Sequence, residues 1–163
     1  MNIVRTTILS LALAFGAGAA LAQDFQKGFA AYNAGDYATA LKEWRPLAEQ
    51  GDSAAQYNLA VKYDNGKAVL QDYAEAVKWY RLPAEQGNAS AQNNIGVRYE
   101  NGEGVLQDNV RAHMWYNIAA ANGHEKAGEW RDERAGLMTS ADISKAQSMA
   151  KECMSSNYKN CGW

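Results

Sequence analysis

The sequence is poor in the residues that build chemical sites. It has two histidines and two cysteines in 163 residues. His113 and His124 stand eleven positions apart, and neither has a cysteine or carboxylate partner at metal-ligand spacing. No metal site and no cofactor are therefore expected. An excess of positive charge is missing too, with 16 basic side chains against 18 acidic ones. General nucleic-acid binding needs a basic footprint, and adsorption to an anionic membrane surface needs basic clusters. Neither fits this balance. A phosphate loop is absent as well: Gly102-Glu103-Gly104 follows no strand and precedes no G-K-[ST].

Long apolar runs are confined to the start of the chain. Arg5 gives a short positive segment, Ile8 to Phe15 is almost wholly apolar, and Ala20-Leu21-Ala22 is an A-x-A cleavage signal. Residues 1–22 are expected to be a cleavable export signal, with the mature chain starting at Gln23. The apolar run is too short and too rich in Gly and Ala for a membrane anchor, and no cysteine follows it to carry a lipid. Cleavage leaves 141 residues with 15 basic and 18 acidic side chains, net −3. The expected location is periplasmic or secreted. In such an oxidising setting the pair Cys153 and Cys161 is expected to form a disulfide, closing a nine-residue loop.

What the chain does have is a period. Gly51, Gly87 and Gly123 fall 36 residues apart, and residues 52–87 align on 88–123 without a gap, identical at sixteen of 36 positions. Each unit reads as two helices. Asp52 and Asn88 cap the first helix. Ala55, Leu59 and Tyr63, like Ala91, Ile95 and Tyr99, recur at i, i+4, i+8 and make a buried stripe. Ala60 and Gly96 border it, small enough for the partner helix to approach. Gly66 and Gly102 end the helix in the left-handed conformation. Val69-Leu70 and Val105-Leu106 are expected to anchor the connecting loop. Asp72 and Asp108 cap the second helix, and Glu75 stands at capping-box spacing from Asp72. Ala76, Trp79, Tyr80 and Ala84, with Ala112, Trp115, Tyr116 and Ala120, then pack inward.

A truncated copy precedes these units over residues 23–51, its inter-helix loop five residues shorter around Tyr32 to Tyr37. Pro46 and Pro83 fall inside second helices, where a kink or an early end is expected. After Gly123 the period fades. Residues 124–163 should hold a helix over 125–136, with Ala127, Trp130 and Leu137 inward. A last helix, capped by Thr139 or Ser140, should pack through Ile143, Ala146, Met149 and Ala150.

These residues resemble the Sel-one-like repeat family. The second unit carries its pattern at Ala91, Ile95, Gly96, Tyr99, Gly102, Gly104, Val105, Asp108, Ala112, Trp115, Ala119, Ala120 and Gly123. The first unit departs at Ala60, Ala68 and Pro83. The resemblance implies an all-α fold, an α/α solenoid related to tetratricopeptide repeats. It also implies an adaptor that holds protein or peptide partners on a curved surface, with envelope and signalling roles among exported members.

Helix geometry names the candidate contact residues. With the Ala55–Leu59–Tyr63 stripe inward, the most outward positions are Tyr57, Asn58, Val61 and Asp64, and then Asn93, Asn94, Val97 and Glu100. First helices line the concave surface in the tetratricopeptide arrangement. Tyr57, Asn58, Val61, Asn93, Asn94 and Val97 are therefore the expected partner-binding set, the alternative being that they pack on a neighbouring helix. Trp79, Trp115, Tyr63 and Tyr99 recur as packing residues. No catalytic constellation emerges. Ser148 and Lys151 match an S-x-x-K tetrad, but its companion S-D-N and K-T-G motifs are missing. A cysteine-rich branch of the resembled family is linked with β-lactam binding and hydrolysis, yet the repeats here contain no cysteine. A non-enzymatic scaffold is the expected function, and a β-lactam or cell-wall hydrolase is the alternative.

Overall fold

Each helix of the repeat begins where a short polar side chain takes up a free backbone N–H. Asp36, Asp52, Asp72, Asn88 and Asp108 accept from the N–H three residues on at 2.7–3.0 Å, the geometry of an N-cap. The computed structural model describes residues 24–163 and is all-helical over them. Its helices are α1 (residues 24–33), α2 (Tyr37–Glu49), α3 (Ser53–Asn65), α4 (Tyr73–Glu85), α5 (Ala89–Asn101), α6 (Asn109–Ala121), α7 (Ala127–Ala135) and α8 (Ser140–Ser155). The expected export signal, residues 1–22, lies outside the described residues. Gly66 and Gly102 close α3 and α5 with φ of +65° and +71°. Thr139 caps α8 through the Asp142 N–H.

Three local expectations change. Val69 and Val105 do pack inward, but Leu70 and Leu106 are 91% and 90% exposed. Neighbouring residues of an extended segment point to opposite sides, so only one of each Val-Leu pair can face the core. Asp72 caps α4, but Glu75 does not return the bond. The Asp72 N–H is already given to the Tyr63 carbonyl at 2.9 Å, and the Glu75 carboxylate accepts instead from Trp79 Nε1 at 3.0 Å and Lys78. Neither proline ends its helix early: α2 and α4 have 13 residues, the same length as the proline-free α6. Each proline removes the one ladder bond to residue 42 or 79, and the helix runs only two or three residues beyond it.

Successive helices pack side by side from α2 to α7, and α8 folds back onto α6. The stripe residues are buried as the spacing implies, with Ala55, Leu59, Ala91, Ile95, Ala76, Tyr80, Ala112 and Trp115 all at 0–1% exposure. Tyr63 and Trp79 belong to both hydrophobic clusters and so join the N-terminal hairpin to the main core. At Gly96 a Cβ would stand 2.7 Å from the Tyr116 ring, which is why α6 can lie so close to α5.

Units are also stitched end to end by buried amides. Gln56 Nε2 donates to the Ala48 carbonyl, and one period later Gln92 Nε2 donates to that of Ala84, both at 3.0 Å. Each glutamine satisfies a carbonyl in the last turn of the preceding helix. Gln86 and Asn122 then donate to the side-chain oxygens of Gln56 and Gln92 at 3.0 and 2.8 Å.

Beyond Gly123, Ala127 is fully buried and Trp130 packs on the core, but Leu137 is 71% exposed. Ala127 lies 36 residues after Ala91, and α7 takes the place of a third first helix. Cys153 and Cys161 are joined by a disulfide.

Candidate functional site

The first helices α3, α5 and α7 are tied to one another by a ladder of carboxylates and cations. Arg98 Nη1 on α5 lies 3.0 Å from Asp64 Oδ1 on α3 and 2.8 Å from Glu103 Oε2. One period on, Arg134 of α7 pairs with Glu100 of α5. A tyrosine from the second helix of the same unit completes each rung. Tyr80 Oη donates to Asp64 at 3.2 Å, and Tyr116 Oη donates to Glu100 at 2.5 Å. Burial, reinforced by these carboxylates, holds both phenols far above their ordinary pKa, so they remain donors. Burial also raises the Asp64 pKa, against the pull of Arg98.

The rung fails at the N-terminal end, and the failure is informative. Lys62 stands one period before Arg98, but the shortened first hairpin presents it with no carboxylate. Its ammonium lies 3.7 Å from the Tyr32 ring centroid, 4.8 Å from Tyr37 and 5.9 Å from Trp44. The residue is only 1% exposed. Desolvation, with a smaller contribution from Lys67, pushes its pKa down to about 8. An aromatic cage thus replaces the missing acid.

The expected contact residues divide on this face. Tyr57, Asn58, Val61, Asn94 and Val97 are half-buried. Tyr57 stacks 5.8 Å from Tyr80, and Val61 and Val97 pack against the core. Both expected orientations are therefore partly realised: these side chains pack on neighbours and still present an edge. Asn93 is different. It is 4% exposed, with a buried and unpartnered Oδ1, so it leaves the open surface.

Val97 leads into a recess of about 230 Å³ shared with Glu100, Asn101, Tyr116, Trp130 and Glu133. Trp130 forms one wall, tilted against Tyr116 at 6.0 Å and against His124 at 5.7 Å. Glu133 is exposed at the rim. The face therefore runs from Tyr57 on α3, across Asn94 and Val97 on α5, to an aromatic and acidic recess against α7.

A Sel1 repeat is matched over residues 53–88 and again over 89–124. The chain is similar to a Sel1 repeat protein from Oxalobacter formigenes, with 34% identity and a TM-score of 0.63 over 69% of this chain and 88% of that one. The chain belongs to the Sel1 repeat family. It is also similar to a protective antigen of uropathogenic Escherichia coli strains that displays an SLR fold, at 26% identity and a TM-score of 0.78. That likeness covers 85% of this chain, which spans only 31% of the length of the antigen. No curated protein matches the sequence.

Trp130, Glu133 and Arg134 are the site residues that inspection of the two Sel1 units alone misses. The signal was present: carried one more period, Asn94, Val97 and Arg98 fall on these three residues. The period was lost to view because Ile95, Gly96 and Tyr99 become Arg131, Asp132 and Ala135. Only Ala127 and Arg134 keep the residues of Ala91 and Arg98 in this stretch.

Ser148 and Lys151 both lie exposed on α8 and make no hydrogen bond with each other. Neither lines a described cavity. His113 is buried and His124 half-buried. Burial, followed by the charge of Arg131, lowers the His113 pKa and favours its neutral form. Among the described residues no cluster of His, Cys, Asp and Glu is arranged to hold a metal ion, and no described helix is long and apolar enough to cross a membrane.

Proposed function

We propose that this protein is an exported, non-enzymatic scaffold that holds a protein or peptide partner on the concave face formed by α3, α5 and α7. The observation that carries this reading is the continuity of that face. Half-buried Tyr57, Asn58, Val61, Asn94 and Val97 lead into the recess lined by Trp130 and Glu133. The Arg98 and Arg134 rungs hold the helices at fixed spacing, so little conformational freedom is lost when a ligand binds. Repeat solenoids use such extended faces for recognition.

Export is supported by the apolar segment ending at Ala22, which leads to a periplasmic or secreted location. The Cys153–Cys161 bond fits the same compartment. A hydrolase gains no support from the exposed Ser148 and Lys151.

The test is a pair of variants on the purified mature chain. Asn101→Lys with Glu133→Lys, both exposed on the recess, should abolish capture of the native envelope partner while helical circular dichroism is unchanged. Undiminished capture by that folded variant would remove this face from the function. Tyr57→Ala with Val61→Ser is the poorer probe, since both side chains pack on the core and their loss also costs stability.

A further inference from the structure

The recess beside α7 has an equivalent one period earlier, and the comparison shows what was added. Val97, Glu100, Asn101 and Tyr116 stand 36 positions after Val61, Asp64, Asn65 and Tyr80, so the chemistry of these four lining residues is kept. The other two change. Trp130 stands where the earlier unit has Asn94, and Glu133 stands where it has Val97. An amide and an apolar side chain thus give way to a large ring and a carboxylate. The acid common to both places is also more open here: the Glu100 side chain is 27% exposed, against 14% for Asp64.

The added charge is not neutralised from within. Nearby cations are already committed, Arg134 to Glu100, Arg131 to Asp132, and Arg98 to Asp64 and Glu103. Among the described residues Glu133 enters no ion pair, and neither does exposed Glu129, one turn before it on α7. Like charges at i, i+4 repel each other, and an external cation relieves that repulsion. Tyr116 is buried against the recess, Trp130 forms a wall and Glu133 is exposed at the rim. Aromatic rings with carboxylates beside them attract a cation. The chain treats its own Arg98 in this way. That side chain pairs with Asp64 and Glu103 while its guanidinium lies 4.9 Å from the Tyr73 ring centroid.

We infer, building on the concave face proposed above, that this recess is an anchor pocket for an arginine side chain on a peptide segment of the partner. The guanidinium stacks on Trp130 and pairs with Glu133, with Glu100 behind it. The aliphatic stem lies along Val97 and leads back onto the face. Arginine suits the pocket better than lysine, because its planar, weakly hydrated head can stack on a ring and pair with a carboxylate at once. A space of about 230 Å³ holds one such side chain.

The probe is the peptide acetyl-Gly-Gly-Arg-Gly-Gly-amide, titrated against the purified chain and followed by NMR at the Trp130 indole N–H. Loss of that signal in Trp130→Phe assigns it. The wild type should show a saturable shift. A twin peptide with citrulline, neutral and of the same shape, should bind about tenfold more weakly. Glu133→Gln, a change at an exposed side chain, should weaken binding of the arginine peptide about fivefold and leave that of the citrulline peptide unchanged. Guanidinium ion alone should bind more weakly than the peptide, because it lacks the stem. Absence of a saturable shift, equal binding of the arginine and citrulline peptides, or a Glu133→Gln chain that binds as the wild type does would each overturn the pocket. Guanidinium ion bound as tightly as the peptide would make this a small-cation site and overturn the peptide anchor. The scaffold reading fails separately: its partner can still be captured on this face through other chemistry, and the arginine peptide can still bind where no native partner is captured.

Discussion

Arg98 on α5 reaches back 3.0 Å to Asp64 on α3, and Arg134 on α7 repeats the reach to Glu100 on α5. The pair members lie 34 residues apart in both cases, so the contact is a property of the period itself. It fixes how each Sel1 unit sits on the one before.

Both partners of the first rung are largely buried, at 13% and 14% side-chain exposure. Arg98→Met leaves the Asp64 carboxylate without its cation and should cost about 3 kcal/mol. Asp64→Leu in the same chain should restore most of that loss, because the uncompensated charge is gone. Urea unfolding of the two single variants and the double variant measures the coupling.

The loops of the two units share one left-handed backbone position but fill it with different residues. Gly104 has φ +74°, and a Cβ there would stand 2.4 Å from the Tyr73 carbonyl carbon and oxygen. Ala68, the equivalent residue of the first unit, has φ +67°. Gly104→Ala should therefore destabilise by at least ~2 kcal/mol. Ala68→Gly relieves a strained position and should stabilise by up to ~1 kcal/mol, after the entropy of the freer unfolded chain is subtracted. Thermal unfolding shows whether the two substitutions carry opposite signs.

The two-helix units, their caps at Asp52, Asp72, Asn88 and Asp108, the left-handed ends at Gly66 and Gly102 and the Cys153–Cys161 bond were all legible, because each is a local rule acting on neighbouring residues. Burial of Lys62 was not. Helical periodicity gives no reason to bury a lysine, and its cage of Tyr32, Tyr37 and Trp44 comes from another hairpin. Asn93 escaped for a related reason, since a single-helix projection omits burial by other elements. At Leu70 and Leu106, apolar character suggested an anchor where the backbone alternation allows only the preceding valine to turn inward.

Lys62 should give the fold a distinctive pH response. Its pKa falls from 10.5 to about 8 in the folded chain, so between those values the unfolded chain holds a proton that the folded chain has released. Stability therefore rises with pH across that window, and below about pH 8 the cost of burying the charge is complete. Lys62→Met should be at least as stable at pH 7 and should lack this rise. Urea midpoints of the two proteins at pH 7, 8, 9 and 10 give the difference, and parallel curves would contradict the account.

Turnover of a chromogenic β-lactam by the purified mature chain should be absent, because Ser148 and Lys151 stand exposed on α8 and line none of the described cavities. Hydrolysis that disappears with Ser148→Ala would reverse this expectation.

The scaffold reading is tested most directly by site-specific photo-crosslinking in the native envelope. A photoreactive residue at position 97 or 133 should give one discrete crosslinked species. The same residue at position 78, exposed on α4, should give none. Equal crosslinking at all three positions, or a product from position 78 alone, would contradict a partner bound on the face of α3, α5 and α7.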